Sequence, residues 1–157
     1  MRKPITVFVP TNRAYSSKRN WGKPAPMDGL NEIIAQNRAN KVYGAAMERD
    51  NVQHCARFVR AAMRVAGYAP MTAKDRCKCH VRVKVYEPHD QRDVPNVYGG
   101  VLKYAIDALT ARNKNGVGAI WDDNSKWMSL SVLPIAIDPA NPGIEITITP
   151  LEVKHET

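Results

Sequence analysis

Apolar residues at helical spacing dominate residues 28–67. Asp28 suits a helix N-cap, and the apolar stripe begins just after it. The stripe fades across a polar and basic middle and then resumes. It ends before Gly67, a residue that favours the end of a helix. Residues three or four apart share one face of a helix. The stripe consists of Leu30, Ile33, Ile34, Val52, Cys55, Phe58, Val59, Ala62, Met63 and Ala66. The pattern predicts a helical region with one buried face.

Alternation of apolar and polar residues predicts the strands. The run HVRVKVYE, residues 80–87, places its three valines on one side and its long polar side chains on the other. Glu87 falls on the valine side, where an inward carboxylate is costly unless it is paired or binds a cation. The β-branched runs at residues 5–9, 127–137 and 144–148 predict further strands.

The stretch RDVPNVYGGVLKYAIDAL, residues 92–109, predicts a helix with two unlike faces. Pro95 fits its first turn, where a missing N–H costs nothing. An interior glycine costs about 1 kcal/mol relative to alanine, so the pair Gly99-Gly100 favours close approach of another backbone or of a ligand. One face is apolar, with Val97, Val101, Leu102, Ala105, Ile106 and Leu109; the other carries the line Asn96, Gly100, Lys103 and Asp107.

The order β–α–β–α–β–β, without an internal repeat, predicts an α/β (α+β) fold in which two main helices pack on a single mixed β-sheet. A chain of 157 residues is expected to form one domain over residues 1–157. Residues 10–27, rich in Pro, Ser and Asn, predict a loop insertion, and residues 150–157 a C-terminal tail. Tyr15 and Trp21 leave open a base-stacking arm beside a plain solvated loop.

The charge balance favours an anionic partner. Lys and Arg number 23 against 15 Asp and Glu, which gives a net charge of +8. Such a balance leaves nucleic-acid binding and a merely basic protein both open. No apolar run is long enough to cross a bilayer, so no membrane partner is expected.

The three cysteines, without a secretory signal, predict a reducing cytoplasmic compartment. The run Cys77-Lys78-Cys79-His80 would need a second pair of ligands to hold zinc, so unpaired thiols are favoured.

Acidic residues suggest a metal-dependent reaction. Asp93 comes just before the helix at residues 92–109, and Asp122-Asp123 follow a short apolar run. Magnesium takes one or two carboxylates, keeps several waters and adds substrate phosphate oxygens. If Asp93 and Asp123 converge, a metal-bound water could attack the phosphorus of a nucleic acid held by the basic surface.

These residues, in this order, resemble the RusA family of Holliday-junction resolvases, especially its phage-type members. The resemblance rests on Arg92-Asp93-x-x-Asn96, then a lysine, Asp107-Ala108-Leu109, a glycine-containing loop and Asp122-Asp123. GLNEIIAQNRAN followed by YGAAM is similar to the first-helix signature of that branch, and IDPANPGIEITI resembles its last two strands. Together these motifs cover about residues 28–149.

The resemblance implies a homodimeric, Mg²⁺-dependent endonuclease that resolves four-way DNA junctions by paired incisions. Such an enzyme would serve DNA recombination and repair in a bacterial cytoplasm, in a phage or prophage setting. Carried over residue by residue, Asp93 and Asp123 match the metal-binding acids, Lys103 matches a catalytic lysine, and Asp107 an acid that could orient it. The expected nucleic-acid-binding residues are Arg92, Asn96, Gly99, Gly100, Lys103 and Arg38.

One position departs from the family pattern D-x-D-N, because Pro95 stands at its second acid. Glu87 is the favoured replacement ligand, Asp122 the next, and Asp90 is expected to be solvated. Two alternatives stay open. The chain could be a branched-DNA-binding protein that has lost full metal ligation and does not cut, or a basic module that binds RNA or protein.

Overall fold

The computed structural model describes residues 2–11, 26–39 and 41–151. Most of the predicted insertion, with Tyr15 and Trp21, and most of the predicted tail therefore lie outside the described residues. In chain order the elements are β1 Ile5–Pro10, α1 Leu30–Ala39, α2 Lys41–Ala66, β2 Cys79–Glu87, α3 Val94–Leu109, β3 Met128–Val132, β4 Ala136–Ile137 and β5 Gly143–Pro150.

The predicted fold class is confirmed: over the described ranges, five strands form a single mixed sheet, accompanied by three helices. The prediction of two main helices is corrected, because the first helical region is divided into α1 and α2. The division falls in the polar stretch where the apolar stripe fades, so no continuous buried face holds the two segments in one helix. Gly67 ends α2 as predicted, with a left-handed φ of 66°.

The sheet has the order β1-β5-β2-β3, and β4 pairs with the end of β2. Strand β5 is antiparallel to both β1 and β2, whereas β3 and β4 run parallel to β2. The single strand predicted over residues 127–137 is therefore two strands, β3 and β4. Pro134 lies between them, and proline cannot donate a hydrogen bond to a sheet ladder.

One face of the sheet is buried and the other is open. The valines of β2 lie opposite the isoleucines of β5, and all of these side chains are buried together with the apolar faces of the helices. The open face carries Phe8 and Arg82 as exposed residues, beside the half-buried Lys84 and Tyr86. The alternation predicted for β2 is thus confirmed. In the described part of the chain, no helix combines the length and hydropathy that crossing a bilayer requires.

Helix α3 is buried along its apolar face and along part of its polar line. Its predicted apolar face is in the core, but Gly100 on the predicted polar line is buried as well. A Cβ at Gly100 would lie 2.7 Å from the carbonyl oxygen of Asp28 and 2.8 Å from the Cα of Gly29. A Cβ at Gly99 would lie 2.9 Å from the Cβ of Leu30. The glycine pair therefore allows another backbone, the entrance of α1, to approach closely.

The entrance of α1 differs from the prediction. Helix α1 begins at Leu30, and the Ile33 N–H donates to the Gly29 carbonyl, so Gly29 rather than Asp28 is in the N-cap position. The Asp28 carboxylate is buried and accepts a hydrogen bond from the Asn51 amide at 3.1 Å. Asp28 thus ties the entrance of α1 to α2.

Candidate functional site along helix α3

The residues around the start of α3 form the N-terminal cluster: Glu32, Glu87, Arg92, Asp93 and Asn96. The Arg92 guanidinium donates to both oxygens of Glu87, at 2.7 and 3.1 Å, and to Glu32 at 3.0 Å. Burial alone would lower the pKa of Arg92, but the hydrogen bonds and charges of Glu87 and Glu32 raise it. Arg92 therefore stays cationic and joins α1, β2 and α3.

This ion pair changes the roles predicted for Glu87 and Arg92. Glu87 is buried on the valine side, as predicted, yet its two oxygens are both bound by Arg92. It is therefore corrected from a metal ligand to the partner of a buried arginine. Arg92 is corrected in the same way, because a guanidinium held by Glu87 and Glu32 is not available to a phosphate.

Asn96 also stabilises the fold. Its side-chain oxygen accepts a hydrogen bond of 2.7 Å from the Asn31 backbone N–H in the first turn of α1. Asn96 and Gly100 are both buried. The prediction that these two residues bind nucleic acid is therefore corrected. Arg38, in the last turn of α1, is exposed as a nucleic-acid contact requires.

Asp93 is the member of the N-terminal cluster that stays at the surface. It occupies the N-cap position of α3, but its side chain makes no capping hydrogen bond. It lies at a cavity of about 400 Å³ between the starts of α1 and α3. The other lining residues are Asn31, Glu32, Ala35, Gln91, Arg92 and Asn96. The carboxylate is thus accessible, although its neighbours Arg92 and Asn96 are engaged elsewhere.

A second group, the C-terminal cluster, consists of Glu48, Lys103, Asp107, Asp122 and Asp123. The Lys103 ammonium donates to the Asp107 carboxylate at 2.8 Å. The pKa of Lys103 is raised chiefly by this hydrogen bond, although partial burial opposes the shift, and the charges of Glu48 and Asp123 add to it. One exposed lysine therefore lies near carboxylates from α2, α3 and the loop after α3.

The neighbouring acids of that loop differ in role. The Asp122 carboxylate accepts hydrogen bonds from the Asp123 backbone N–H at 2.9 Å and from the Asn124 side chain at 3.1 Å. It also lies 3.7 Å from the Arg112 guanidinium. Asp122 therefore stabilises the turn, whereas Asp123 is exposed and contributes its charge to the surroundings of Lys103.

The structure divides the predicted site between these two clusters. Lys103 follows Asp93 by ten residues, which is about 15 Å along the axis of α3 at a rise of about 1.5 Å per residue. Asp123 is near Lys103, but Asp93 is at the far end of the helix. Among the residues that the structure describes, no three His, Cys, Asp or Glu side chains are grouped closely enough to hold a metal ion.

Cys55, Cys77 and Cys79 are all free thiols. Burial raises the pKa of Cys55 to about 12, so this thiol stays protonated in the core.

Two acids in these clusters were missed by the sequence analysis. Glu32 binds Arg92, and its signal was its place in the first turn of α1, inside the GLNEII motif. Glu48 acts on Lys103 from α2, across 55 residues of sequence, and no local pattern marks it. The chain matches no protein-family model, no curated protein and no solved structure.

Proposed function

We propose that the protein is a Mg²⁺-dependent endonuclease that cuts branched DNA, including four-way junctions, as a homodimer. The observation that carries the proposal is the C-terminal cluster: Lys103 is bound to Asp107 and lies in the electric field of Asp123 and Glu48. A net charge of +8 adds attraction for phosphate around this acidic spot. The resemblance to the RusA family gives Lys103 and Asp123 their roles.

Lys103 and Asp107 have complementary roles in this proposal. Lys103 is cationic at neutral pH, as its raised pKa requires, and can bind a phosphate oxygen or stabilise the charge that develops on it. Asp107, one helical turn further on, holds the ammonium in place. Since Lys103 is exposed, a DNA backbone can reach it without a change in the fold.

Magnesium, if held near Asp123, would supply a bound water of lowered pKa as the nucleophile for phosphodiester hydrolysis. The described residues do not form a ready-made cage for it. Magnesium commonly takes only one or two protein carboxylates and completes its shell with waters and substrate phosphates. Asp123, an exposed carboxylate whose charge acts on Lys103, suits that limited demand, so we expect magnesium to bind weakly without DNA and more tightly with it.

A second candidate is a branched-DNA-binding protein that does not cut. It is favoured by the separation of Asp93 from Lys103 and by Pro95, which stands where the family pattern has its second acid. Both candidates share the junction as ligand and differ only in the reaction.

The decisive experiment measures cleavage of a labelled four-way junction in MgCl₂, with junction affinity measured separately in EDTA. We expect Asp123→Asn to slow cutting by about 100-fold or more, the usual cost of removing a charge-stabilising group from an active site. Its junction affinity should stay close to that of the wild type, because phosphate contacts position the DNA. Asp90→Asn is the matched control, since Asp90 is an exposed acid in the loop before α3.

Three results would change the proposal. If Asp123→Asn cuts at the wild-type rate while Asp93→Asn does not cut, the reaction belongs to the N-terminal cluster. If the wild type binds junctions and never cuts them, the second candidate is correct. If sedimentation of the protein with junction DNA shows only a single copy bound, the homodimer is wrong.

A further inference from the structure

Helix α2 carries four arginines along one side: Arg49, Arg57, Arg60 and Arg64, named here the arginine ridge. At roughly 100° per residue they fall, with Gln53, within an arc of about 80°. Arg49 and Arg64 are fifteen residues apart, so the ridge is about 22 Å long at a rise of about 1.5 Å per residue. All four side chains are exposed.

The arginine ridge is not neutralised by the protein. Within the described residues none of its four guanidinium groups forms an ion pair, whereas Arg2, Arg92, Lys103 and Arg112 each have a carboxylate partner. The helix has two acids of its own. Glu48 acts on Lys103 on the α3 side, and Asp50 lies at the edge of the arc.

The positive charge of the ridge contributes to the pKa shift of a neighbouring side chain. The pKa of His54 is lowered, mainly by burial, while its hydrogen bond to the Pro10 carbonyl opposes the shift and the charge of Arg57 adds to it. A row of cations without counter-charges repels itself, and a polyanion that lies along the row relieves that repulsion.

We propose that the arginine ridge binds the phosphate backbone of duplex DNA. Arginine donates two parallel hydrogen bonds to a phosphate, which gives geometry as well as charge. A duplex presents about one charge per 1.7 Å of its axis with both strands counted, so a length of about 22 Å carries roughly 13 phosphate charges, of which the ridge faces a part. A straight row of this length suits a rod-shaped anion.

A membrane is a poorer fit for this helix. Helices that bind bilayers insert an apolar face next to their basic one. The apolar face of α2 is in the core instead, with Met47, Val52, Cys55, Val59 and Met63 all buried. The ridge therefore offers charge and hydrogen bonds, the terms that hold a nucleic-acid backbone.

The arginine ridge is continuous with the C-terminal cluster. Arg49 directly follows Glu48, which acts on Lys103. Further along, the Gln53 side chain donates to Asn115 at 3.5 Å, which places the loop after α3 beside the ridge. A duplex arm along α2 would thus approach Lys103. This last step rests on the proposed function, but the binding itself does not.

The test measures binding of a 20-base-pair duplex in EDTA by fluorescence anisotropy over a range of salt concentrations. Arg57→Ala with Arg60→Ala should weaken binding at least tenfold at low salt. It should also make the slope of log K against log salt shallower by about 2, since each lost phosphate contact removes about 0.9. Arg57→Lys with Arg60→Lys keeps the charge and should keep most of the slope.

Arg82→Ala with Lys84→Ala is the matched control, because it removes two positive charges from the open face of the sheet. It should leave the salt slope within about 0.5 of the wild type. Circular dichroism and the unfolding midpoint of each variant establish that it is folded.

The proposal is overturned if the wild type does not bind the duplex, or if the ridge variant binds it as the wild type does. It is also overturned if the two alanine variants, Arg57→Ala with Arg60→Ala and Arg82→Ala with Lys84→Ala, lose the same affinity for the duplex. Net charge would then explain the effect. Loss of binding to phosphatidylserine vesicles with unchanged DNA binding would make the ridge a membrane surface. Because the assay needs no cleavage, a wild type that binds through the ridge but never cuts junctions rejects only the proposed nuclease.

Discussion

The two ends of α3 carry similar residues and use them differently. At its start, Arg92 and Glu87 form a buried ion pair and Asn96 accepts a hydrogen bond from the first turn of α1, so the polar groups bind one another. In its second half, Lys103 and Asp107 pair at the surface, within reach of a ligand. A charged residue in a sequence motif can therefore belong to the fold, and burial with a fixed partner distinguishes it from a residue that remains available.

The largest effect is expected when the ion pair at the start of α3 is broken. Arg92→Ala leaves the carboxylate of Glu87 buried without its counter-charge, so we expect a loss of about 3–5 kcal/mol in the free energy of unfolding. Urea unfolding followed by circular dichroism measures it. Arg82→Ala, an arginine removed from the open sheet face, should change stability by no more than about 0.5 kcal/mol. A loss below about 1 kcal/mol for Arg92→Ala would mean that the pair does not hold the fold.

A smaller effect tests the close approach of α1 to α3. Alanine is the better helix former, by about 1 kcal/mol. At Gly100, however, the added Cβ meets the backbone of Asp28 and Gly29, and overpacking of this kind costs about 1–3 kcal/mol. Gly100→Ala should therefore lower the unfolding free energy, and Gly99→Ala should do so less, because its neighbour is the partly exposed side chain of Leu30. The reverse order would show that α1 is free to move.

The smallest effect is expected at the exposed pair. Exposed ion pairs one helical turn apart contribute about 0.3–0.5 kcal/mol, so a double-mutant cycle with Lys103→Met and Asp107→Asn should return a coupling of that size. The pKa of Lys103 is raised above 10.5, so this contribution is fully present below pH 10.5 and is lost as the pH rises through the raised pKa. An NMR titration of the Lys103 side chain should show its midpoint fall in Asp107→Asn. An unchanged midpoint would contradict the hydrogen bond as its cause.

Sequence pattern predicted strand β2 better than the helices. Strict alternation placed the valines of β2 and the inward Glu87 correctly, because a period of two leaves only two faces. Helix α3 was harder, since its polar line looked solvent-facing and is in part the surface on which α1 rests. The break between α1 and α2 was missed because residues 36–41 contain neither proline nor glycine.

The candidate site could be predicted only in part, because a pattern indicates burial and does not name the partner. Glu87 is predicted as a magnesium ligand, but both of its oxygens are bound by Arg92, five residues along the chain. Glu32 completes that group from 60 residues away. The spacing between Asp93 and Lys103 did hold the relevant information, since ten residues of helix separate two side chains by about 15 Å.

The position of β5 has a consequence for how the chain is made. Among the five strands of the described residues, β5 is the last to leave the ribosome, yet it lies between β1 and β2 and is the one strand there that pairs with β1. During synthesis β1 cannot pair with β5 until the chain beyond Gly143 has been made. Contacts between residues so far apart in sequence form slowly. A nascent chain stopped before β5 would have unpaired strand edges on both sides of the gap, which invites aggregation. Loss of this last strand would therefore divide the sheet in two.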